Sequence, residues 1–220
     1  MLSTKGSAMK IIDLTQPMAN GMPVMEGIEP PEFRDLAEVA TDGYAMSRYT
    51  FVNHTGTHVD APAHQIAGGA NLDEIPLDRL VTDALTIDLS GHDPGPVGPA
   101  DLAGALQQVR PGDLVLLRSD NALNWGTDAY WRNWCYPDAV ASRALIDLGV
   151  GGVGFDGPSA DPVDTEDYQL HQLWLGAGKI IIENLASLAG LPVRCRIVVA
   201  PLKVRGANGG PARVFAFVDD

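Results

Sequence analysis

The stretch HTGTHVDAPAH, residues 54–64, sets His54, His58, Asp60 and His64 at even positions. In a straight strand these four would share one face, yet His54 and His64 would stand ~33 Å apart, too far for one ion. A helix would pair His54 with His58 at i and i+4. Thr55, Thr57 and Val59 are β-branched, and with Gly56 and Pro62 they oppose a helix. The chain must therefore turn: Gly56 permits one reversal and Pro62 imposes a second. A loop that closes on a point, lined with imidazoles and a carboxylate, suits a first-row divalent metal at an open, catalytic site. Three of the five histidines fall in these eleven residues, which weighs against an incidental cluster. His92, alone in a Gly/Asp/Pro loop, reads as an ordinary surface histidine.

Outward from this loop, strand and helix signals alternate. Lys10–Leu14, Met46–Asn53, Ala84–Leu89, Leu114–Arg118, Gly152–Asp156, Lys179–Leu185, Arg196–Val204 and Arg213–Val218 read as strands. Pro99–Val109 reads as a helix. So does Pro137–Leu148, with Val140, Ala144, Leu145 and Leu148 as its apolar positions and Gly149 as its stop. Residues 19–35 hold three prolines and no clear period, and read as an extended loop ordered by packing on a site or a partner. His171 falls in a short, weakly helical run. Many strands and few helices predict an α/β fold with a mixed sheet.

The whole chain sets bounds. Its 220 residues, 45% of them hydrophobic, can bury a core without stapling metals, so a metal here would act on a substrate. We read residues 1–8 as a tag-like or disordered N-terminus and 9–220 as one domain. A net charge of −13 argues against a nucleic-acid partner. No stretch approaches the ~20 apolar residues that span a bilayer, and the N-terminus lacks a signal-peptide core, so no membrane partner and a cytoplasmic location are expected. Cys135 and Cys195 form no C-x-x-C pair and read as reduced, partly buried thiols.

Glu183 lies in the apolar strand KIIIENL, where burial is costly unless the carboxylate is paired or metal-bound. An outward-facing Glu183 is an equal alternative on pattern alone. If the sheet brings His171 and Glu183 to the loop, they complete a second metal position with Asp60 bridging. Trp125, Tyr130, Trp131 and Trp134 cluster in one segment. They could line an aromatic pocket, but a hydrophobic lid or subunit contact is the preferred reading. Ser159 lies in GPSAD rather than a G-x-S-x-G elbow, so a serine nucleophile ranks below the metal.

HTGTHVDAPAH resembles the H-x-G-T-H-x-D-x-P-x-H signature of the cyclase family of metal-dependent hydrolases, which includes bacterial kynurenine formamidase and isatin hydrolase. DLTQP, GFDGPSADP at 154–162, IIIENL at 180–185 and VVAPLKVRGANGGPARV at 198–214 resemble family segments in family order. The resemblance implies a swivelling β/β/α-type fold with a barrel-like β core flanked by helices. It implies a homodimer or homotetramer acting on a small-molecule substrate, with one or two Zn2+ or Mn2+ ions per subunit. His54, His58 and Asp60 would hold the first metal. In formamidase-like members His64, bridging Asp60, His171 and Glu183 hold a second. In isatin-hydrolase-like members a Gln replaces the Glu, and the last histidine of the signature is catalytic. Glu183 leans this chain toward the formamidase-like pattern, an aryl formamide amidohydrolase. Hydrolysis of a cyclic amide or lactone, polyketide-type cyclisation, or a metal-binding protein without catalysis are the alternatives. His64 is the expected proton-handling residue; as a ligand it could not do both at once. MPVMEGIEPPEF, with Met25 and Glu26, replaces the family's P-x-W-P-G-D, so Met25 and Ser159 are candidate substrate contacts.

Overall fold

The computed structural model describes residues 9–219, so the N-terminal segment 1–8 lies outside the described residues. The described residues form twelve strands: β1 (Met9–Asp13), β2 (Glu32–Ala37), β3 (Met46–Thr50), β4 (His58–Asp60), β5 (Val81–Asp88), β6 (Gly95–Val97), β7 (Leu114–Arg118), β8 (Cys135–Pro137), β9 (Gly152–Phe155), β10 (Ile180–Glu183), β11 (Arg194–Pro201) and β12 (Gly209–Asp219). Five α-helices accompany them: α1 (Val39–Asp42), α2 (Leu77–Leu80), α3 (Ala103–Leu106), α4 (Ala139–Asp147) and α5 (Gln169–Gly176).

The main sheet runs β1-β12-β11-β5-β7-β9-β10-β4, and β4 also pairs with β12. That extra pairing closes seven strands into a barrel-like ring, with β1 appended to β12. The β5–β7, β7–β9 and β9–β10 pairs are parallel, and the rest of the ring is antiparallel. The mixed α/β class expected from the alternating signals is therefore the one observed.

Two cores follow from the two-residue period of the strands. Leu114, Leu116, Ile180, Ile182, Ile197, Val214 and Ala216 pack in one cluster with Val59 of β4. Their neighbours Val115, Leu117, Val153, Phe155 and Ile181 belong to a second cluster with Leu145 of α4 and Trp174 of α5. The continuous apolar runs reflect strands buried on both faces. β9 has glycine at 152 and 154 because its neighbours press close. A Cβ at Gly152 would collide with the backbone and side chain of Ile180.

Several expectations need correction. Pro99–Val109 forms only the four-residue α3, which has no side-chain cap and a glycine, Gly104, at its second position. Pro137 ends β8 instead of opening the helix; Asp138 is the N-cap and accepts from Ala141 N at 2.7 Å. The buried face of α4 is Ala141, Ser142 and Leu145, whereas Val140 and Leu148 are exposed. Residues 19–31 are largely irregular, but Glu32–Ala37 pairs with β3 as a hairpin.

Candidate metal centre

β4 lies between β10 and β12, and the register fixes what its residues meet. His58 stands across from Glu183 on one side and Pro211 on the other; Asp60 faces Ile181 and Gly209. His58 and Asp60 share a face, and Val59 points into the core between them. Gly56 has φ +64°, the left-handed turn that returns His54 to this face. A Cβ at Gly209 would strike the His54 ring, so glycine there makes the room for it. On the other side Pro62–His64 forms a 3-10 turn that brings His64 back. Both reversals required by the sequence are present.

The six expected side chains converge. His54 Nδ1 lies 2.6 Å from Asp60 Oδ1, and His58 Nε2 lies 3.3 Å from the same oxygen. Glu183 is buried, its Oε2 3.4 Å from His58 Nε2 and its Oε1 3.2 Å from His171 Nε2. His171, in the first turn of α5, is 3.7 Å from Asp60 Oδ2. The His64 ring lies 4.0 Å, centroid to centroid, from that of His54. The outward-facing alternative for Glu183 is thus overturned.

The side chains sort into two groups whose ligating atoms lie within 4.8 Å of one another: His54, Asp60 and His64, and His58, Asp60 and Glu183. The division differs from the one implied by the resemblance, which put His58 with His54 and His64 with Glu183. Asp60 belongs to both groups, as expected of a bridging carboxylate.

A cation fits this donor set. Asp60 Oδ2 is buried and has no hydrogen-bond partner among the described residues, an expensive state for a carboxylate oxygen. Imidazole nitrogens and carboxylate oxygens are the donors that zinc and manganese accept. Burial alone would push the His58 ring down, but Asp60 and Glu183 outweigh it and raise it to about 9. The His171 ring, likewise opposed by burial, is raised to about 12 by Asp161, Asp60 and Glu183. Without an ion, protons supply the positive charge that the two carboxylates demand. His64 is shifted the other way: burial lowers it, and His54 and His171 add to that against the pull of Asp60 and Glu183.

Two supporting residues went unread in the sequence. Asp161 is buried; it accepts from His171 Nδ1 at 2.6 Å and from the Leu170 and His171 backbone amides at 2.8 and 2.9 Å. It therefore both caps α5 and leaves His171 Nε2 facing Glu183. It stands eight residues before the start of α5, outside any local capping pattern. Asn208 Oδ1 lies 3.1 Å from His54 Nε2. Such outer partners are worth ~10–100-fold in metal affinity or activity. Asp161→Ala is expected to weaken metal binding in that range while α5 persists, measured by chelator competition and circular dichroism.

The site opens into a cleft of about 340 Å³. Its walls are Pro23, Val24, Met25, Ile28, Val52 and Pro158 with Trp125, Trp131 and Tyr168; Ser159 also lines it. Met25 and Ser159 both line this cleft. The aromatic segment divides. Trp125 and Trp131 face the cleft, while Tyr130 and Trp134 are buried beneath. Among the described residues, the cleft lining has no Lys or Arg, and its only carboxylates are Asp60 and Glu183.

The family model described as "Putative cyclase" matches residues 12–162. A kynurenine formamidase from Salinibacter ruber is 30% identical over 217 residues, covering 93% of this chain and 96% of the relative. Isatin hydrolase A from Labrenzia aggregata, solved bound to benzyl benzoate, superposes with a TM-score of 0.88 at 27% identity, covering 96% of this chain and 94% of that one. A structure described as a predicted metal-dependent hydrolase from Bacillus stearothermophilus gives 0.80 at 32% identity, with 96% and 99% covered.

Proposed function

The chain belongs to the cyclase family of metal-dependent hydrolases, and from that premise we propose that it hydrolyses the C–N bond of a small aromatic amide, of aryl formamide type. The observation that carries this is the convergence of His54, His58, Asp60, His64, His171 and Glu183 at the floor of an aromatic cleft, with Asp60 Oδ2 lacking a partner. Asp60, His58, Glu183 and His171 would hold one Zn2+ or Mn2+ ion; His54, His64 and the shared Asp60 would hold a second. A divalent ion in such a site lowers the pKa of bound water toward neutrality and polarises a carbonyl.

The chain's own groups do the rest. Trp125, Trp131 and Tyr168 stack or edge against an aromatic ring. Asp161 fixes the orientation of His171. With no ion on the outer position, His64, its basicity lowered by burial, would take a proton during attack and return it to the departing nitrogen. Its freedom to do so depends on whether the outer position holds an ion.

A second reading has its own support. An amino-acid substituent would enter this cleft with a carboxylate and an ammonium group, and desolvated charges need partners. With no Lys or Arg in the lining among the described residues, an uncharged cyclic amide of the kind isatin represents fits at least as well. The test is a panel of N-formylkynurenine, isatin and simple lactones, each run before and after chelation and with Zn2+ or Mn2+ restored. Loss on chelation and recovery on metal addition are expected. Full turnover by the metal-free protein would refute the metal role, and the product formed separates the two substrates.

We also propose a homo-oligomer. The β2–β3 hairpin leaves Leu36, Val39, Tyr44, Met46 and Tyr49 exposed, and a two-stranded ribbon is marginal without support. No helix among the described residues is long and apolar enough to cross a membrane.

A further inference from the structure

Beneath the aromatic wall lies a buried polar chain that the proposed chemistry does not use. Tyr130 is fully buried, and its hydroxyl donates to Asn184 Oδ1 at 2.7 Å. Asn184 Nδ2 donates to the Gly56 carbonyl at 2.9 Å. That carbonyl can only accept, so the His58 Nδ1 that lies 2.9 Å from it carries the hydrogen. His58 Nε2 is then the atom left facing Asp60 and Glu183. The amide orientation follows from the same carbonyl: flipped, Asn184 Oδ1 would face the Gly56 oxygen, acceptor against acceptor.

Asn184 is fastened on every side. Its backbone N–H donates to Gly157 O at 2.9 Å, and its carbonyl accepts from Thr57 Oγ1 at 2.6 Å. It sits at φ +59°, a left-handed conformation that Asn tolerates better than most residues. The Trp125 and Trp131 rings meet Tyr130 edge-on at 4.9 and 5.4 Å. The substrate wall, Tyr130, Asn184 and the Gly56 turn therefore form one packed line ending on His58.

We infer that Tyr130 and Asn184 are positioning residues: through the Gly56 carbonyl they set the ring orientation and tautomer of His58, and so the geometry of the metal centre. This rests on the metal-site reading above. A residue of merely structural importance would lower stability without changing the affinity of the site.

The test compares Tyr130→Phe, Asn184→Asp and Leu145→Ala with the wild type. Leu145 is a buried residue of α4 outside the site, and its truncation gives a destabilised control. Zn2+ affinity is measured by competition with a chromophoric chelator, the visible spectrum of the Co2+-loaded protein reports ligand geometry, and Tm reports stability. Tyr130→Phe is expected to weaken Zn2+ binding or lower kcat by ~10–100-fold, with KM little changed and an altered Co2+ spectrum. Asn184→Asp, which turns the Gly56 donor into an acceptor, is expected to do the same or more. Leu145→Ala is expected to lower Tm and leave affinity and spectrum unchanged. Wild-type affinity, spectrum and kcat in Tyr130→Phe would overturn the inference, as would an equal loss of affinity in Leu145→Ala. Failure of the wild type itself to bind Zn2+ or Co2+ would instead refute the metal-site reading.

Discussion

Asp60→Ala is expected to lose both bound metal and turnover, with activity falling more than the ~100-fold typical of outer-sphere changes. Asp60 is the one side chain shared by the two ligand groups. One oxygen lies against His54 and His58, and the other has no hydrogen-bond partner among the described residues and is 3.7 Å from His171. No neighbour can replace it, because Glu183 is already engaged by the Ala160 amide at 3.0 Å. The change also leaves buried imidazoles short of a counter-charge, and losing one partner of a buried ion pair costs ~3–5 kcal/mol. Asp60→Asn, which keeps the shape and removes the charge, separates this loss from packing. Metal content by mass spectrometry and Tm with and without Zn2+ are the measurements. Stoichiometric metal and full turnover in Asp60→Ala would remove the basis of the proposed function.

His64→Ala is expected to lower kcat by ~10²–10⁴-fold, the range for a proton-transfer group, while the deeper ion is retained. His64 stacks on His54 and stands outside the group formed by His58, Asp60 and Glu183. His58→Ala, by contrast, is expected to lose the deeper ion as well. The pair of variants thus separates proton handling from ligation. If His64→Ala loses one of two bound equivalents, the outer position holds an ion. If it loses turnover with metal content unchanged, His64 works as a base. Undiminished kcat would exclude it from the chemistry.

The four residues of the 54–64 loop were legible because imidazoles and a carboxylate cluster there at a spacing that forbids regular structure, whereas His171 and Glu183 entered only conditionally and through the resemblance. Gly56 and Pro62 announced both turns. The strands that read well were those buried on both faces, where runs such as Leu114–Arg118 leave no other reading. Helix signals misled where context decided. Val140 looked like a core residue from its chemistry, yet Asp138, by setting the start of α4, turned it outward. Glu183 stayed ambiguous because strand pattern gives facing and not neighbours; only the β4–β10 register set it opposite His58. Asp161, Asn184 and Tyr130 act through hydrogen bonds between segments up to 128 residues apart, which no local period encodes.

The three-residue strand β4 has a consequence for how sequences of this kind can vary. It is hydrogen-bonded on both edges, and its side chains alternate between the ligand face and the core. Adding or deleting one residue between Gly56 and Pro62 would shift the alternation by one, turning Val59 toward the ligands and driving a charged carboxylate into the interior. Length change is therefore barred at the seam that closes the ring, whereas the irregular segment that carries Met25 is free to lengthen, shorten and diverge. Descendants of such a chain would keep one catalytic floor and exchange the walls around it.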